Sequence, residues 1–417
     1  MKGVVLRTLR AIDWDFATPR LGYLAPPHWY PGTFLPALSE ALLEALTPVG
    51  GTIFDPYGGI GTSGWSALRK GRSCHIADVN PVALLVSYAT NSLLALTRID
   101  KASANNALGA LGRLVGRNDD LFGERQLFSG VAHLDDQVQA ICTPEPNAIL
   151  NLLVVGEPQW SLLENWIEPS TLANMNNLTQ AILASQSAYL RLLGLCMISA
   201  IARSVCSQHA SWGHIADNVR PREMTAQNLY AATTRWLKRT KAFISAPMTQ
   251  VSTERDIAIK PRIYLRDWSK PADVGPGDAD LLLTSPPYAD AIDYTLAQRL
   301  SLYFLGYDDR AISSLVSAEI GARRKRSKTL SRSTWSEQLC AALKDQVTWV
   351  KPSGTICLVL PHKDSGRSSG EDDIRTSLEG MGWHLFFEAD RSIHQSHTRH
   401  SWTSIKKETI LVFSSRK

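Results

Sequence analysis

Two periodicities divide the chain. Short apolar runs bounded by turn residues occur at Thr52–Asp55, Ser73–Asp78, Arg262–Asp267, Leu281–Thr284, Thr355–Leu360, Gly382–Phe387 and Thr409–Phe413. Runs of this length, without a helical repeat, predict buried strands. Between them the spacing changes to three and four. Leu38, Leu42, Leu43 and Leu46 share one face of a helix predicted over Ala37–Leu46, and a second helix is predicted over Thr62–Lys70. From about Ala95 to Ser245 the pattern is helical throughout. There Leu172, Met175, Leu178, Ile182, Tyr189, Leu193, Met197 and Ile201 form a long stripe with one gap at Gln186. Pro221 predicts the first turn of a further helix that carries Met224, Leu229, Trp236 and Leu237 inward. Asp290, Asp293 and Tyr294 open a helical stretch reaching Leu305, and Trp335–Val350 reads as another. Residues 1 to about 25 carry no interpretable pattern.

Strands alternating with helices predict an α/β fold on a mostly parallel sheet. Three parts are expected: an N-terminal part of the sheet domain over 1–95, a mainly helical inserted lobe over 96–250, and the remainder of the sheet domain over 251–417. The last two strands pair as an antiparallel edge.

Composition narrows the function classes. With 417 residues, 44% of them hydrophobic and 20% charged, the chain can bury one large core with a sizeable insert, and wholesale disorder is excluded. A net charge of +5 permits an acidic polymer as partner without requiring one. The six cysteines include no CxxC pair, which suggests neither a zinc site nor a disulfide framework and makes a reducing cytoplasm the simplest compartment. The first residues, with Asp13 and Asp15 close behind, do not read as a signal peptide. Gly194 and Ser199 interrupt the longest apolar run, Leu192–Ala202, which is far short of the roughly 20 residues of a membrane span. It is expected to be a buried helix, and no membrane partner is expected.

Two stretches carry chemistry. Thr52-Ile53-Phe54-Asp55-Pro56-Tyr57-Gly58-Gly59-Ile60-Gly61-Thr62 is a strand entering a glycine turn that opens a helix. Glycines there let the backbone pass close to a ligand, with amide hydrogens pointing outward at a helix start. About twenty residues on, Asp78 ends the next strand, where α/β folds hold a ribose with a carboxylate; a helix N-cap is the plainer alternative for it. The second stretch, Leu281-Leu282-Leu283-Thr284-Ser285-Pro286-Pro287-Tyr288, is a strand ending in a rigid proline corner.

Together these stretches resemble the DPFxGxGT turn and the catalytic tetrapeptide of S-adenosylmethionine-dependent DNA amino-methyltransferases, over roughly residues 26–95 and 260–415. The resemblance implies a Rossmann-like class I methyltransferase fold, a seven-stranded mostly parallel sheet whose last strand inserts antiparallel. It implies S-adenosylmethionine as cofactor, held by Phe34 and Pro36 of a Phe-x-Pro segment, by Asp55, Pro56, Tyr57, Gly58, Gly59, Gly61 and Thr62 of the turn, by Asp78 and Asn80, and by Asp267 at the cofactor's adenine. It assigns catalysis to Ser285, Pro286, Pro287 and Tyr288. An exocyclic amine on a base is a poor nucleophile because its lone pair is delocalised into the ring. The Ser285 oxygen and the Pro286 carbonyl would accept its hydrogens and favour a tetrahedral nitrogen, the prolines would hold both acceptors in place, and Tyr288 would stack on the extruded base. Serine in the first position points to cytosine N4 in preference to adenine N6.

The implied partner is double-stranded DNA, with a companion restriction or defence nuclease as a further expectation. Arg323, Arg324, Lys325, Arg326 and Lys328 place five cations in six positions, suited to phosphates, although such a run is ordinarily a solvated loop. Arg235, Lys238, Arg239 and Lys241 read as complements to a helix dipole. The resemblance implies target recognition for the inserted lobe over 96–250, by its position between the two motifs, and the loop Cys206–Pro221 is expected to face the base or its flanking strand. His209, His214, His394, His397 and His400 read as loop histidines rather than metal ligands. The rival readings are an RNA or protein amide methyltransferase and a non-catalytic DNA-binding component that keeps the fold.

Overall fold

A computed structural model of the chain describes residues 2–16, 27–116, 133–208, 212–249, 259–271, 274–288, 293–321, 332–362, 370–393 and 406–415. The apolar runs form seven strands: β1 (Thr52–Asp55), β2 (Ser73–Asp78), β3 (Pro261–Leu265), β4 (Ala279–Thr284), β5 (Val350–His362), β6 (His384–Ser392) and β7 (Lys407–Ser414). They make one sheet in the order β3-β2-β1-β4-β5-β7-β6. β3, β2, β1, β4 and β5 run parallel, and β7 lies antiparallel between β5 and β6. This is the expected Rossmann-like class I methyltransferase sheet.

The chain order reverses at β1, whose neighbours are β2 on one side and β4 on the other. Ligands in open α/β sheets bind at such a switch point, beyond the carboxyl ends of the strands. Phe54 is in register with Leu282, so the ends of β1 and β4 are adjacent. Asp280 fixes that register by accepting from the Thr52 amide (2.9 Å) and pairing with Lys351 of β5 (2.7 Å).

Strand alternation sends successive side chains to opposite faces. Ile53, Cys74, Ile76, Leu281, Leu283, Cys357, Val359, Ile410 and Val412 enter one core, and Phe54, Ala77, Leu282, Ile356, Leu358, Leu360, Leu411 and Phe413 the other. Two helices, Arg332–Gln346 and Glu371–Gly380, and a cluster of Trp268 and Trp349 cover the second face. The first is covered by Pro36–Leu46, Thr62–Arg69 and Pro81–Ile99, and beyond them by the helices between β2 and β3. Those helices share the first core. Ala188–Val205 lies against Pro81–Ile99, with the Tyr189 hydroxyl donating to the Ala89 carbonyl (2.8 Å). Arg69 donates to the Phe243 carbonyl (2.8 Å), and Thr143 bridges to the edge strand β3 at Arg262.

Pro81–Ile99 and Ala188–Val205 are long and apolar enough to cross a membrane, yet 83% and 78% of their apolar windows are buried inside the protein. The run Leu192–Ala202 is thus a core helix, as its composition predicts.

Some boundaries differ from the sequence reading. The gap at Gln186 is a real break: one helix ends at Leu183, and Ser187 caps the next by accepting from the Leu190 amide. Pro221 does not start a helix. The helix is Leu229–Ser245, capped by Asn228, whose side chain accepts from the Ala231 amide (2.8 Å). Ser207 holds the preceding segment as a loop by accepting from the Thr225 amide (2.9 Å), and Met224 faces solvent instead of the core. A proline tolerates a helix start without specifying one; an asparagine cap satisfies an orphan amide there. The uninterpreted N-terminus contains a helix, Lys2–Arg10, whose Leu9 is fully buried.

Phe54 is fully buried, stacked on Trp349 (4.5 Å between centroids, 12° between planes) and edge-on to Trp268. Phe54→Ala should destabilise the protein by about 3–5 kcal/mol, measured by denaturant unfolding, because a cavity opens beneath two tryptophans that cannot collapse into it.

Candidate functional site

The glycine turn is built against β2 and the helix Pro81–Ile99. A Cβ on Gly58 would stand 2.4 Å from the Ile76 Cγ2, and one on Gly61 would stand 2.4 Å from the Asn91 Nδ2. Gly61 also has φ +87°, in the region that favours glycine. With these contacts the turn crosses the end of β2, where the Gly58 amide donates to the Ala77 carbonyl (3.0 Å) and the Gly59 amide to Asp78 Oδ2 (2.9 Å). The other Asp78 oxygen accepts the Asn80 amide (2.8 Å). Asn80, not Asp78, caps the helix Pro81–Ile99 by accepting from the Val82 amide (3.0 Å).

Asp55 sits at the end of β1 with its carboxylate buried. Oδ1 accepts from the Thr284 hydroxyl of β4 (2.6 Å) and the Tyr57 amide (3.1 Å), and Oδ2 accepts from the Ser63 hydroxyl (2.5 Å). One side chain therefore ties together β1, β4, the turn and the helix it opens. Burial raises its pKa to about 6 against the pull of the three hydrogen bonds. Burial likewise raises Asp78 to about 6, opposed by the two amides and reinforced by Asp55.

At the end of β4 the corner is held from several sides. Trp335 Nε1 donates to the Pro287 carbonyl (2.8 Å). The Ser285 hydroxyl donates to the Tyr288 hydroxyl (2.9 Å), which donates to Glu408 Oε1 of β7 (2.6 Å). Burial, and then Glu408, hold the Tyr288 phenol far above its usual pKa.

Turn and corner face one pocket of about 580 Å³, open mouth included. Among predicted residues, Phe34, Asp55, Tyr57, Gly58, Gly59, Thr62, Asp78, Ser285 and Pro287 line it. Others are placed around it. Pro36 is the first residue of its helix, the Pro56 carbonyl accepts from Trp268 Nε1 (2.8 Å), Gly61 packs beneath the turn, and Pro286 is buried. Asp267 is not brought to the pocket lining: it lies beyond β3, bonded to Ser269 (2.6 Å) and Lys270 (3.0 Å). The cations Arg323, Arg324, Lys325, Arg326 and Lys328, and His209, His394, His397 and His400, lie outside the described residues.

Tyr30, Gly32, Thr33, Ile60 and Tyr294 also line the pocket and carried no sequence assignment to it. The rings of Tyr30 and Tyr294 stack at 6.2 Å. Tyr30 stands four positions before Phe34 in the same aromatic loop, the one local signal that pointed to it. That loop is fixed by the helices beyond the sheet: His28 Nε2 bonds the Ser199 hydroxyl (2.8 Å), Gln298 donates to the Trp29 carbonyl (3.3 Å), and the Arg203 guanidinium lies 3.8 Å over the Trp29 ring.

The described lining contains two aspartates, three tyrosines and a phenylalanine, and neither lysine nor arginine. Nearby Glu319, whose Oε1 accepts from the Thr295 amide (2.7 Å) and hydroxyl (2.5 Å), has its pKa raised to about 8, first by burial. Carboxylates and aromatic faces in a half-buried cleft favour a cation.

Thr284→Val removes a donor to a buried carboxylate at nearly constant volume and should cost about 1–3 kcal/mol. A carboxyl with a folded pKa above its unfolded one loses stability as pH rises between the two, here from about 4 to about 6. Losing Thr284 extends that loss upward, so urea unfolding should show the variant's deficit larger at pH 8 than at pH 5.

No family model matches the chain, and no curated protein sequence matches it. Among solved structures the chain is similar to the rRNA methyltransferase aviRa from Streptomyces viridochromogenes, at 12% identity and a TM-score of 0.29 over 98% of this chain and 95% of that one. At that score the likeness carries no weight for activity or substrate. The strand order and the antiparallel β7 are what make this the methyltransferase fold.

Proposed function

We propose that the protein transfers a methyl group from S-adenosylmethionine to the exocyclic amino group of a base in DNA, cytosine N4 in preference to adenine N6. The observation that carries this reading is the single pocket lined both by Gly58, Gly59 and Asp78 and by Ser285 and Pro287. On this reading the donor site and the amine-binding corner lie within reach of one another, although the two motifs are more than 200 positions apart in sequence.

The residues present suit the donor. Asp78, anchored by two backbone amides, keeps lone pairs for the hydroxyls of a ribose. The glycine turn allows close approach of a ligand to its backbone. The carboxylates and the Tyr30 and Tyr294 rings supply a negative, aromatic surround suited to a sulfonium. When bound, S-adenosylmethionine supplies an electrophilic methyl group on cationic sulfur.

For the acceptor, the Ser285 oxygen and the Pro286 carbonyl would take the two amine hydrogens and draw the nitrogen lone pair out of the ring. The corner is rigid before any substrate arrives, since Pro286 and Pro287 limit the backbone and Trp335 holds it. Most of the remaining acceleration would come from alignment. DNA as substrate is supported by the form of the tetrapeptide and by the basic run Arg323–Lys328.

Labelled S-adenosylmethionine offered with duplex DNA, RNA or protein in separate reactions should mark the DNA, and digestion to nucleosides should place the label on cytosine N4. Label on RNA or protein alone would overturn the substrate assignment. Ser285→Ala should lower kcat on the order of 100-fold. Donor affinity, followed by calorimetry, should be flat above pH 7 and weaken as pH falls through about 6, where Asp78 takes up its proton. Asp78→Asn should bind weakly and lose most of that dependence.

A further inference from the structure

The corner at Ser285 is the visible end of a longer polar chain. The Ser285 hydroxyl donates to Tyr288, and the Tyr288 hydroxyl donates to Glu408 Oε1. Glu408 Oε2 pairs with Arg391 (2.5 Å), whose Nε donates to the Trp14 carbonyl (3.2 Å). The pair is largely desolvated, with side-chain exposures of 7% for Arg391 and 12% for Glu408. It is tied down further where the Asp15 carboxylate accepts from the Ser392 amide (2.6 Å). β7, β6 and the N-terminal segment thus converge on one hydroxyl of the β4 corner.

Direction is the informative property of this chain. Arg391 donates only, so the end of the chain at Glu408 is an acceptor. A carboxylate accepts only, so the Tyr288 proton must point to it. The Tyr288 oxygen is then left to accept, and the Ser285 proton points to Tyr288. Ser285 consequently presents lone pairs, and no hydrogen, to the pocket. An amine that must be gripped through its hydrogens needs that polarity. A serine free to rotate offers it only part of the time and can instead donate to the nitrogen lone pair that has to attack.

We propose that Glu408, held by Arg391, is a positioning residue that acts through Tyr288 to fix Ser285 as a pure hydrogen-bond acceptor for the substrate amine. The proposal rests on the amino-methyltransferase reading of this pocket and adds to it a residue from the antiparallel strand, outside both motifs. It gives the Tyr288 hydroxyl a task besides any stacking by its ring. No proton need leave along the chain for this task.

The test joins an activity cycle to a readout that needs neither donor nor substrate. With 13Cζ-labelled tyrosine, the resonance absent from Tyr288→Phe identifies Tyr288 in the free protein. It should shift in Ser285→Ala and in Glu408→Gln. An unmoved resonance in either variant means the chain is not formed, and overturns the proposal whatever the activity. In turnover, Glu408→Gln and Tyr288→Phe should each lower kcat at least tenfold while donor affinity stays within about twofold. In a Ser285→Ala background neither change should lower kcat further, because the hydroxyl they orient is gone. Glu408→Asp, which keeps the carboxylate, should retain more activity than Glu408→Gln. Near wild-type kcat in Glu408→Gln, or equal losses in both backgrounds, would overturn the positioning role. If the resonance moves as expected but the wild type binds no donor and methylates no polymer, the functional reading itself fails, and the assignment of Ser285 to an amine falls with it.

Discussion

The site depends on a buried carboxylate at the junction of two strands. Asp55 reaches Thr284 on β4, Ser63 on the following helix and the amide of Tyr57 in the turn. Three donors offset much of the cost of burying a charge, which would otherwise be several kcal/mol. Because those donors come from different elements, the carboxylate is satisfied only when β1, β4 and the helix stand in one arrangement. The same arrangement brings the glycine turn and the Ser285 corner to one pocket.

Around this junction the sheet divides the chain into two packing problems. One face is closed by two helices and a tryptophan cluster around Phe54. The other needs more cover, and the helices between β2 and β3 provide it by joining the core of Pro81–Ile99. Their effect reaches the pocket indirectly. Ser199 and Arg203 of the helix Ala188–Val205 hold His28 and Trp29, and so set the loop that carries Tyr30 and Phe34 to the pocket lining.

The electrostatics follow from the same geometry. Asp55, Asp78 and Glu319 are all pushed upward by burial in one region, and hydroxyl or backbone amide donors hold each of them. A pocket of this kind is poorly suited to a phosphate and well suited to a cation, so any phosphate contacts are expected outside it. The Arg391–Glu408 pair, by contrast, is neutralised within the protein, and its influence reaches the pocket only as the direction of two hydroxyl protons.

What the sequence determined by itself is local. The apolar strand runs, the glycines at 58, 59 and 61 and the proline corner each express backbone constraints acting within a few residues, whereas the break at Gln186 showed in the pattern only as a gap in one stripe. The seven-stranded, mostly parallel sheet with an antiparallel last strand followed from the succession of elements and the resemblance, and the order of its strands from the structure. Other features depended on partners distant in the chain. The helix Lys2–Arg10 needed a core to bury Leu9, the start at Leu229 rather than Pro221 reflects Ser207 holding the loop, and Tyr30 and Tyr294 meet only when the fold closes. Glu408 lies 120 positions from Tyr288 in an edge hairpin whose pattern reports burial, not chemistry. A hydrogen bond from a strand-end corner to a distant strand leaves no periodic mark on either, so the tertiary structure alone decided which carboxylate stands behind the serine.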